Sequence, residues 1–542
     1  MSTITLTKDS HADRGKYRVG YDVTSKILGD EPVAPASARP PKRSRSTISI
    51  IGAGFAGIIS AITCQQKFGD SDFLIIEKYP KFGGTWIANT YPGVACDIPS
   101  IWYSLSSELA TNWSRSQSYG FEIAEYIDRV VDKHQLKQKA LLGHAVNRAT
   151  WIEADAEWEL VIHDVETGDT IIHRSKILVN CLGGLVHPRH PSYRGLHDKF
   201  KGEYIHSAMW RDVDLKGKRV AVIGNGCSAC QLVPALLNDG YEVESVTQIA
   251  RSKHHVMPPL PKALQWLYNL VSRVWLFQWI LRLIVASFFE FRFPMFKGDG
   301  WWSKFVRWKS TRESINYMKK HTPKKYWKDV IPDFKIGCKR LIIDHSYLDS
   351  LSHPRMEFIG DSISHFDEHG LVLKSGRYVA CDVVVACTGY DISKSLKTID
   401  VVGRNGTTLE SLWTGKDGRI TAYETAMVKD MPNMFLMAGP NSASGHASVV
   451  SAIEYVATFF TKVARPVVDG TYKSVEVTSE AYYRWFDECQ RELKKAVYGT
   501  QFGGCVSWYS DMDYNYTTYP YSQIRYWWNM SHPNKRDLDY RK

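Results

Sequence analysis

The sequence has little of several features that define other classes of protein. Its 542 residues contain no metal-ligand cluster, no motif for binding nucleic acid and no dense basic block apart from PPKRSR at residues 40–45, although the net charge is +11. Its ten cysteines follow no regular framework, and its polar N-terminus has no apolar core of a signal peptide. We therefore expect a cytoplasmic protein in a reducing compartment, with membrane association left open and no nucleic-acid partner. The positive charge suits an anionic cofactor or an acidic membrane surface.

Length and composition are typical of an enzyme with more than one domain. The chain is 44% hydrophobic and 23% charged, and its length allows two or three domains with substantial cores. Its 18 tryptophans and 29 tyrosines indicate extensive aromatic packing or large apolar pockets.

A glycine-rich string, GAGFAG, begins at Gly52 between an apolar run and a helical stretch. In such a turn Gly52 permits the tight bend, Gly54 lets the backbone approach phosphates, and Gly57 lets helix and strand pack closely. The next strand, at residues 73–76, ends at Glu77, an acid placed to accept hydrogen bonds from a ribose hydroxyl. The pattern predicts a dinucleotide site whose candidate contacts are Gly52, Gly54, Phe55, Ala56, Gly57, Glu77 and Lys78.

A second string, GNGCSA, begins at Gly224 and opens a second βαβ unit, with Ala229 in place of the third glycine. After the following strand, at residues 245–249, come Arg251 and Ser252 instead of an acid. A guanidinium there suits a 2′-phosphate and favours NADPH over NADH. The candidate contacts of this second site are Gly224, Gly226, Ser228, Ala229, Arg251 and Ser252.

Cys227 and Cys230 form a CxxC pair at this turn, and two interpretations are open. The pair could form a redox-active disulfide, or the two residues could be small buried cysteines. We favour the second because Cys227 lies inside the phosphate-binding turn.

The two units indicate an α/β fold with two Rossmann-like dinucleotide-binding domains. A late strand at residues 382–386, followed by CTGYD, and MFLMAGP at residues 434–440 are interpreted as a return to the first unit, so the second is inserted in the first. The expected divisions are an N-terminal extension (1–45), the first part of the first domain (46–199), a linker (200–212), the second domain (213–380) with a helical insert at about 260–330, and the second part of the first domain with a C-terminal segment (381–542).

Residues 271–289 are strongly apolar and aromatic, but Arg273, Gln278 and Arg282 interrupt them and Glu290 closes them. The charges argue against a membrane span. We favour a helical insert packed within the protein near a substrate pocket, with peripheral membrane contact as the alternative.

The string FKGEYIHSAMWR occupies residues 200–211, between the two glycine signatures. Its pattern FxGxxxHxxxW would occur by chance in about one of six hundred chains of this composition. The pattern is formed by Phe200, Gly202, His206 and Trp210.

This pattern, at these spacings, resembles the fingerprint of the Baeyer–Villiger monooxygenases, although Arg211 stands where that family usually has proline or aspartate. The resemblance covers most of residues 46–525 and is weaker in the N-terminal extension and in an aromatic insert at about residues 260–308. Three further segments are similar to the family's flavin-side, active-site arginine and C-terminal segments, namely GGTWIANTYPGVACDIPSIWYSLS at 83–106, CKRLIIDHSYLDSL at 338–351 and CVSWY at 505–509.

The resemblance implies that FAD binds the first signature and NADPH the second. It implies that O2 reacts with reduced flavin to give a C4a-peroxyflavin, which attacks a ketone and yields an ester or lactone. The aromatic content indicates a bulky apolar ketone. The nearest alternative is a flavin monooxygenase that oxidises sulfur or nitrogen centres, and a third is a cofactor-binding protein without oxygenation.

An anionic peroxide requires a fixed positive charge and exclusion of water. Arg340 is the candidate because guanidinium stays charged at any working pH and donates in a fixed fork. Asp97 is expected to orient it through a charge-assisted hydrogen bond. Both residues fall in the segments that resemble the family.

The resemblance assigns roles to further residues. Lys339 is expected to clamp the 2′-phosphate together with Arg251, and His206 to act in conformation or cofactor positioning rather than as a general base. The remaining candidate cofactor contacts are Gly84, Thr85, Trp86, Tyr103, Thr388, Gly389 and Trp508, the last through its indole N–H to the nicotinamide ribose.

Overall fold

Two large sheets, of eight and five strands, organise the chain. The structure is a computed structural model. It describes residues 4–5, 19, 21–28, 37, 39–69, 72–238, 240–271, 274–416, 418–507, 509 and 514–542. Most of the predicted N-terminal extension therefore lies outside the described residues.

The described residues form both strands and helices throughout the chain. The strands are β1 (Ile4–Thr5), β2 (Lys42–Ile51), β3 (Phe73–Glu77), β4 (Ala110–Thr111), β5 (Ala140–Leu142), β6 (His144–Ile152), β7 (Glu157–Asp164), β8 (Thr170–Asn180), β9 (Glu203–His206), β10 (Arg219–Ile223), β11 (Ser245–Ile249), β12 (Val256–Met257), β13 (Ile342–Ile343), β14 (Met356–Ile359), β15 (Ile363–Asp367), β16 (Gly370–Leu373), β17 (Tyr378–Ala380), β18 (Val383–Ala386), β19 (Asp400–Val402), β20 (Met434–Leu436), β21 (Ser474–Val477) and β22 (Leu538–Arg541). The α-helices are α1 (Tyr21–Leu28), α2 (Phe55–Lys67), α3 (Thr85–Ala88), α4 (Gly120–Lys133), α5 (Cys227–Asn238), α6 (Lys262–Val271), α7 (Trp275–Phe291), α8 (Trp301–His321), α9 (Trp327–Val330), α10 (Tyr347–Ser350), α11 (Ile392–Leu396), α12 (Leu409–Thr414), α13 (Val449–Val468), α14 (Ser479–Leu493) and α15 (Gln523–Ser531).

The larger sheet has the order β19-β6-β7-β8-β2-β3-β5, with β20 also paired to β8. β3, β8 and β20 run parallel to the β2 direction, whereas β7 is antiparallel to both β6 and β8. The C-terminal half of β2 is buried, with Ile48 and Ile50 inaccessible to solvent. Since parallel strands end at the same edge of a sheet, the GAGFAG turn after β2 lies beside the end of β3.

The second sheet is entirely parallel, with the order β14-β11-β10-β18-β9. Its central strands are short apolar runs buried on both faces, as is typical of a parallel sheet between helices. β18 corrects the sequence interpretation, because this strand pairs with β10 and β9 and does not return to the first sheet. β20 is the strand that pairs with β8 in the first sheet. The domain boundaries themselves remain a prediction.

The fingerprint segment is part of the second sheet. β9 pairs with β18 along its whole length, from Glu203 opposite Val383 to His206 opposite Ala386. The segment predicted as a linker thus supplies the edge strand of this sheet, and residues 207–212 follow it.

Helices α6, α7 and α8 occupy most of the region predicted as a helical insert, and the short α9 lies at its end. α8 contacts β12, which pairs with β13 in a small separate sheet, through Ser314, whose hydroxyl donates to the Val256 carbonyl at 2.9 Å. α7 packs with only one face against the protein and leaves a broad apolar face exposed. The predicted packing of this segment within the protein is therefore correct for one face alone. Arg273 lies outside the described residues, and no helix within them is long and apolar enough to cross a membrane.

Candidate active site

The first glycine turn has the shape that a pyrophosphate requires. Gly52 has a φ of 106°, and a Cβ there would lie 2.9 Å from the carbonyl oxygen of Cys181. A Cβ at Gly57 would lie only 1.8 Å from the Gly52 carbonyl oxygen, so α2 can approach β2 this closely only with glycine. Gly54 is the N-cap of α2, which places Phe55 and Ala56 in its first turn. The turn therefore fits a dinucleotide phosphate at a helix N-terminus.

Glu77 closes this turn from the end of β3. Its buried carboxylate accepts from the backbone N–H of Ala53 at 2.6 Å and of Tyr79 at 2.9 Å. Burial raises the pKa of Glu77, while these hydrogen bonds act in the opposite direction. A carboxylate has acceptor capacity for more than two donors, so the group can also receive a ribose hydroxyl. Lys78 beside it is partly buried, and burial lowers its pKa.

The GGTW segment lies directly against the first turn. The Gly83 N–H donates to the Ala53 carbonyl at 3.0 Å, and a Cβ at Gly84 would lie 2.9 Å from Gly54 Cα. α3 begins here with Thr85, which is partly buried, and the buried Trp86. The ring of Tyr103 contacts Trp86 edge to face at 5.6 Å and Phe55 at 5.3 Å between centroids. The structure thus brings the predicted flavin-side residues together.

The second glycine turn repeats the geometry of the first. Gly224 has a φ of 110°, and a Cβ there would lie 2.6 Å from the Cys387 carbonyl oxygen. A Cβ at Gly226 would meet no atom within 4 Å, so open space lies beside the backbone there. Ala229 is fully buried where α5 packs against the sheet, and Ser228 lies in the first turn of that helix. This turn also fits a dinucleotide phosphate.

α5, which follows the second glycine turn, contacts the predicted flavin-side segment, and the sequence did not predict this contact. The Gln231 side chain donates to the Ala95 carbonyl at 3.0 Å and accepts from the Tyr91 hydroxyl at 2.8 Å. A Cβ at Gly93 would lie 2.4 Å from the Gln231 carbonyl oxygen. The flavin-side segment therefore packs against the first turns of α5, which brings the two predicted cofactor sites next to each other.

Asp97 and Arg340 form a two-pronged ion pair at this junction. The Arg340 Nε donates to Asp97 Oδ2 at 2.7 Å, and its Nη2 donates to Oδ1 at 2.8 Å. Burial alone would raise the pKa of Asp97, but the charge and hydrogen bonds of Arg340 hold it below its usual range. The same pairing raises the pKa of Arg340, which is charged at any working pH.

Three further groups hold this pair in place. The Arg340 Nη1 donates to the Ser444 carbonyl at 3.3 Å, and the Cys227 thiol lies 3.9 Å from Asp97 Oδ2. Tyr509 is buried, and its pKa is raised to about 12 chiefly by burial, which the nearby Arg340 charge opposes. Sequence reasoning missed Ser444 and Tyr509. Tyr509 lies in the CVSWY segment, which was the only signal for it.

Lys339 and Arg251 lie close enough to interact electrostatically. Burial lowers the pKa of Lys339, and the Arg251 charge lowers it further. Arg251 is exposed just beyond the end of β11, and the Ser252 carbonyl accepts from the Asn225 side chain of the second glycine turn. Two cations held this close to one phosphate turn fit a 2′-phosphate, which would offset their repulsion.

His206 is buried at the end of β9. Its Nδ1 accepts from the Ala208 N–H at 3.1 Å, and its Nε2 lies 3.3 Å from the Thr388 hydroxyl. Burial, and then the charge of His190, lowers the pKa of His206 to about 3, so the ring is neutral. The Thr388 hydroxyl donates to the Arg189 carbonyl, and the Gly389 carbonyl accepts from the Arg189 N–H. The histidine thus ties β9 to the turn after β18.

The other fingerprint residues pack beside the second sheet. Phe200 packs against Phe366 with 5.7 Å between centroids. A Cβ at Gly202 would lie 2.4 Å from both the Asp382 carbonyl and the Phe200 ring, so glycine is required there. Trp210 is buried in the core of this sheet. These three residues therefore support β9 and the packing around it.

One disulfide departs from the expectation that the cysteines of this protein are reduced. Cys227 and Cys230 are free, as favoured above, but Cys338 and Cys505 form a disulfide across 167 residues. This bond links the segment of Lys339 and Arg340 to the C-terminal CVSWY segment. This pairing could not be predicted from the sequence, because the spacing of the cysteines is irregular. Trp508 lies outside the described residues.

Comparison with known proteins identifies the family of this chain. Residues 46–269 match the pyridine nucleotide-disulphide oxidoreductase family model. The chain is 32% identical over 485 residues to a Baeyer–Villiger monooxygenase of Pseudomonas aeruginosa, covering 88% of this chain and 86% of that protein. The chain belongs to the Baeyer–Villiger monooxygenase family.

A second relative and a solved structure are also similar to the chain. The chain is 30% identical to a Baeyer–Villiger monooxygenase of Streptomyces coelicolor, covering 87% of this chain and 88% of the relative. In fold it is similar to an oxidised steroid monooxygenase bound to NADP, with a TM-score of 0.76 and 22% identity over 92% of this chain and 100% of that one.

Proposed function

We propose that this protein is an FAD- and NADPH-dependent monooxygenase that inserts one oxygen atom of O2 beside the carbonyl of a bulky apolar ketone, giving an ester or a lactone. Family membership supports the reaction class. The observation that carries the proposal is the Asp97–Arg340 pair, because it sets a permanent cation where the two glycine turns meet.

FAD binds on the first turn in this proposal. The N-terminus of α2 faces the pyrophosphate, Glu77 holds a ribose hydroxyl, and Thr85, Trp86 and Tyr103 line the ring system. When bound, FAD supplies electron transfer from NADPH and activation of O2. The aromatic side chains around Tyr103 exclude water from this space.

NADPH binds on the second turn. Gly226 leaves the backbone open to the pyrophosphate at the start of α5, and Arg251 and Lys339 hold the 2′-phosphate. Lys339 is adjacent to Arg340 in the chain, so the 2′-phosphate clamp and the catalytic cation move as one segment. Trp508 remains a predicted contact of the nicotinamide ribose.

Arg340 stabilises negative charge as the carbonyl is attacked. Its fork is fixed by Asp97 on one side and by the Ser444 carbonyl on another. A donor already fixed in the position where an oxyanion develops lowers the barrier without reorganising during the reaction. Arg340 is never a proton donor at working pH, so its role is electrostatic.

His206 is a positioning residue in this proposal. Its neutral ring connects β9 to Thr388, and it lies in the second sheet rather than against Arg340. We assign to it the alignment of the turn at Thr388 and Gly389, which ends the strand next to the Gly224 turn.

Substitution of Arg340 tests the function. Arg340→Ala should keep bound FAD and its reduction by NADPH, but the rate of ester formation should fall by about 10² to 10³, the usual effect of losing one preorganised donor. Arg219→Ala is the matched control, because Arg219 makes a similar pair with Asp382 at the opposite end of β10. Ester formation at the wild-type rate by Arg340→Ala would remove Arg340 from the mechanism. Sulfoxide as the sole product of the wild type would favour the alternative reaction.

A further inference from the structure

Within the described part of the chain, most exposed large apolar side chains lie in or beside helices α6, α7 and α8. Of the 25 large hydrophobic residues exposed within the described part of the chain, 17 fall between residues 266 and 308. Single exposed apolar residues are normal on protein surfaces, whereas a large continuous patch marks an interaction site.

The fully buried residues of α7 are polar, whereas an ordinary surface helix buries its apolar residues. Arg282 is 6% exposed, and its guanidinium donates to the carbonyls of Ile101 at 2.7 Å and Ser104 at 2.9 Å. Gln278 is fully buried, and its side chain donates to the Ala110 carbonyl at 3.2 Å. These bonds fix which side of the helix faces the protein.

The opposite side of α7 is apolar. Leu276, Ile280, Leu283, Ile284 and Phe291 are between 44% and 75% exposed. Their spacing of three, four and seven residues places them on one face of the helix. Because Arg282 and Gln278 face the protein, this apolar face of α7 points outwards and is not buried in the core.

α8 continues the apolar surface and adds charge. Trp301, Trp302, Phe305 and Trp308 are exposed at helical spacing. Exposed basic side chains, Lys304, Lys309 and Arg312 among them, lie on the same helix. Tryptophans beside lysines and arginines are typical of segments that lie in the interface of a bilayer.

The basic charge of the whole chain is concentrated here. Residues 262–325 contain thirteen lysines and arginines against three acidic residues, an excess of ten, whereas the whole chain has a net charge of +11. The other 478 residues are thus nearly neutral. In a dimer that paired this region with its own copy, the two basic regions would repel each other.

We propose that the outer faces of α7 and α8 dock onto the surface of a membrane that contains anionic lipids. The apolar side chains enter the headgroup region, the basic side chains contact lipid phosphates, and the chain does not cross the bilayer. The inner face of α7 packs against residues 101–110, next to Tyr103 of the predicted flavin site. Docking would therefore hold the flavin side of the enzyme close to the lipid.

Sedimentation with vesicles tests the proposal on the FAD-loaded protein. The bound fraction should be higher on phosphatidylcholine vesicles that contain phosphatidylserine than on phosphatidylcholine alone, and salt should lower it. The double variant Leu283→Glu and Ile284→Glu should lower the partition coefficient by about tenfold or more. Lys309→Glu with Arg312→Glu should remove mainly the dependence on phosphatidylserine.

Two controls separate membrane docking from misfolding and from dimerisation. Tyr483→Glu changes an exposed aromatic residue on α14, outside this region, and should bind vesicles as the wild type does. Trp301→Glu, at a residue 79% exposed, repeats the α7 test on α8 should the double variant fold poorly. Flavin content and NADPH oxidation should be unchanged in all of them. The proposal is overturned if the wild type stays in the supernatant, if both apolar variants sediment with vesicles as it does, or if light scattering shows a dimer that these variants dissociate.

Discussion

Replacing Asp97 by asparagine isolates what the carboxylate does for Arg340. The wild-type pair has two charge-assisted hydrogen bonds, at 2.7 and 2.8 Å. Asparagine can accept one of them through its Oδ1, but its NH2 group faces a guanidinium that has only donors. The variant therefore loses the negative charge and one hydrogen bond, and a hydrogen bond to a charged group contributes about 1.5 to 3 kcal/mol.

This loss converts into an expected rate. At 1.36 kcal/mol for each factor of ten, the range corresponds to a decrease of about 10- to 150-fold in the rate of ester formation. The side chains of Arg340 and Asp97 are 20% and 26% exposed, so solvent screening favours the lower part of the range. Reduction of FAD by NADPH should change by less than about threefold, because electron transfer does not use the Arg340 fork.

Two separate assays measure the two rates, and a matched control variant goes through both. Rapid anaerobic mixing with NADPH gives the rate of flavin reduction from the loss of flavin absorbance. The rate of oxygenation is the rate of ester formation during steady-state turnover, measured by chromatography. Asp382→Asn is the control, because Asp382 binds Arg219 in the same two-pronged way, at 3.0 and 2.8 Å, at the start of β10. Ester formation at the wild-type rate by Asp97→Asn, or equal impairment of Asp382→Asn, would refute this role of the Asp97 carboxylate.

Three other substitutions test the cofactor turns and the fingerprint. Gly57→Ala should abolish FAD binding, seen as colourless protein, because its Cβ would lie 1.8 Å from the Gly52 carbonyl, whereas Gly183→Ala has no atom within 4 Å and should keep FAD. Arg251→Glu should raise the KM for NADPH by about tenfold or more and leave that for NADH nearly unchanged; equal effects on both would contradict the 2′-phosphate assignment. The pKa of His206 is lowered to about 3 by burial, while an unfolded histidine titrates near 6.5, so acidification protonates the unfolded state first and lowers stability. Between about pH 7 and pH 5 this amounts to about 2 kcal/mol, which urea unfolding of His206→Gln should show as a flatter pH dependence than the wild type has; an unchanged slope would mean that His206 is not held neutral.

Structural features that depend on a short stretch of chain could be predicted from the sequence. Both glycine turns could be located because a positive φ and a close helix-to-strand approach act within six residues, and Glu77 because it ends the next strand. Arg340 and Asp97 were found through segments similar to the family, and the structure brings them together over 243 residues.

Long-range pairing could not be predicted in this way. The strand Val383–Ala386 has the same buried, β-branched character as strands of the first sheet, so composition does not tell which sheet it joins. The disulfide joins Cys338 to Cys505, and nothing local indicates it. The orientation of α7 follows from carbonyls at residues 101, 104 and 110, far away in the chain, which accept from Arg282 and Gln278.

The most direct test of the proposed reaction is the fate of isotopic oxygen. Purified protein with FAD, NADPH and ¹⁸O2 would be incubated with a panel of bulky cyclic ketones, and the products examined by mass spectrometry. The expected product is a lactone that contains one ¹⁸O atom, with one NADPH consumed for each product molecule. Consumption of NADPH with hydrogen peroxide as the only product, under conditions where FAD stays bound, would contradict it.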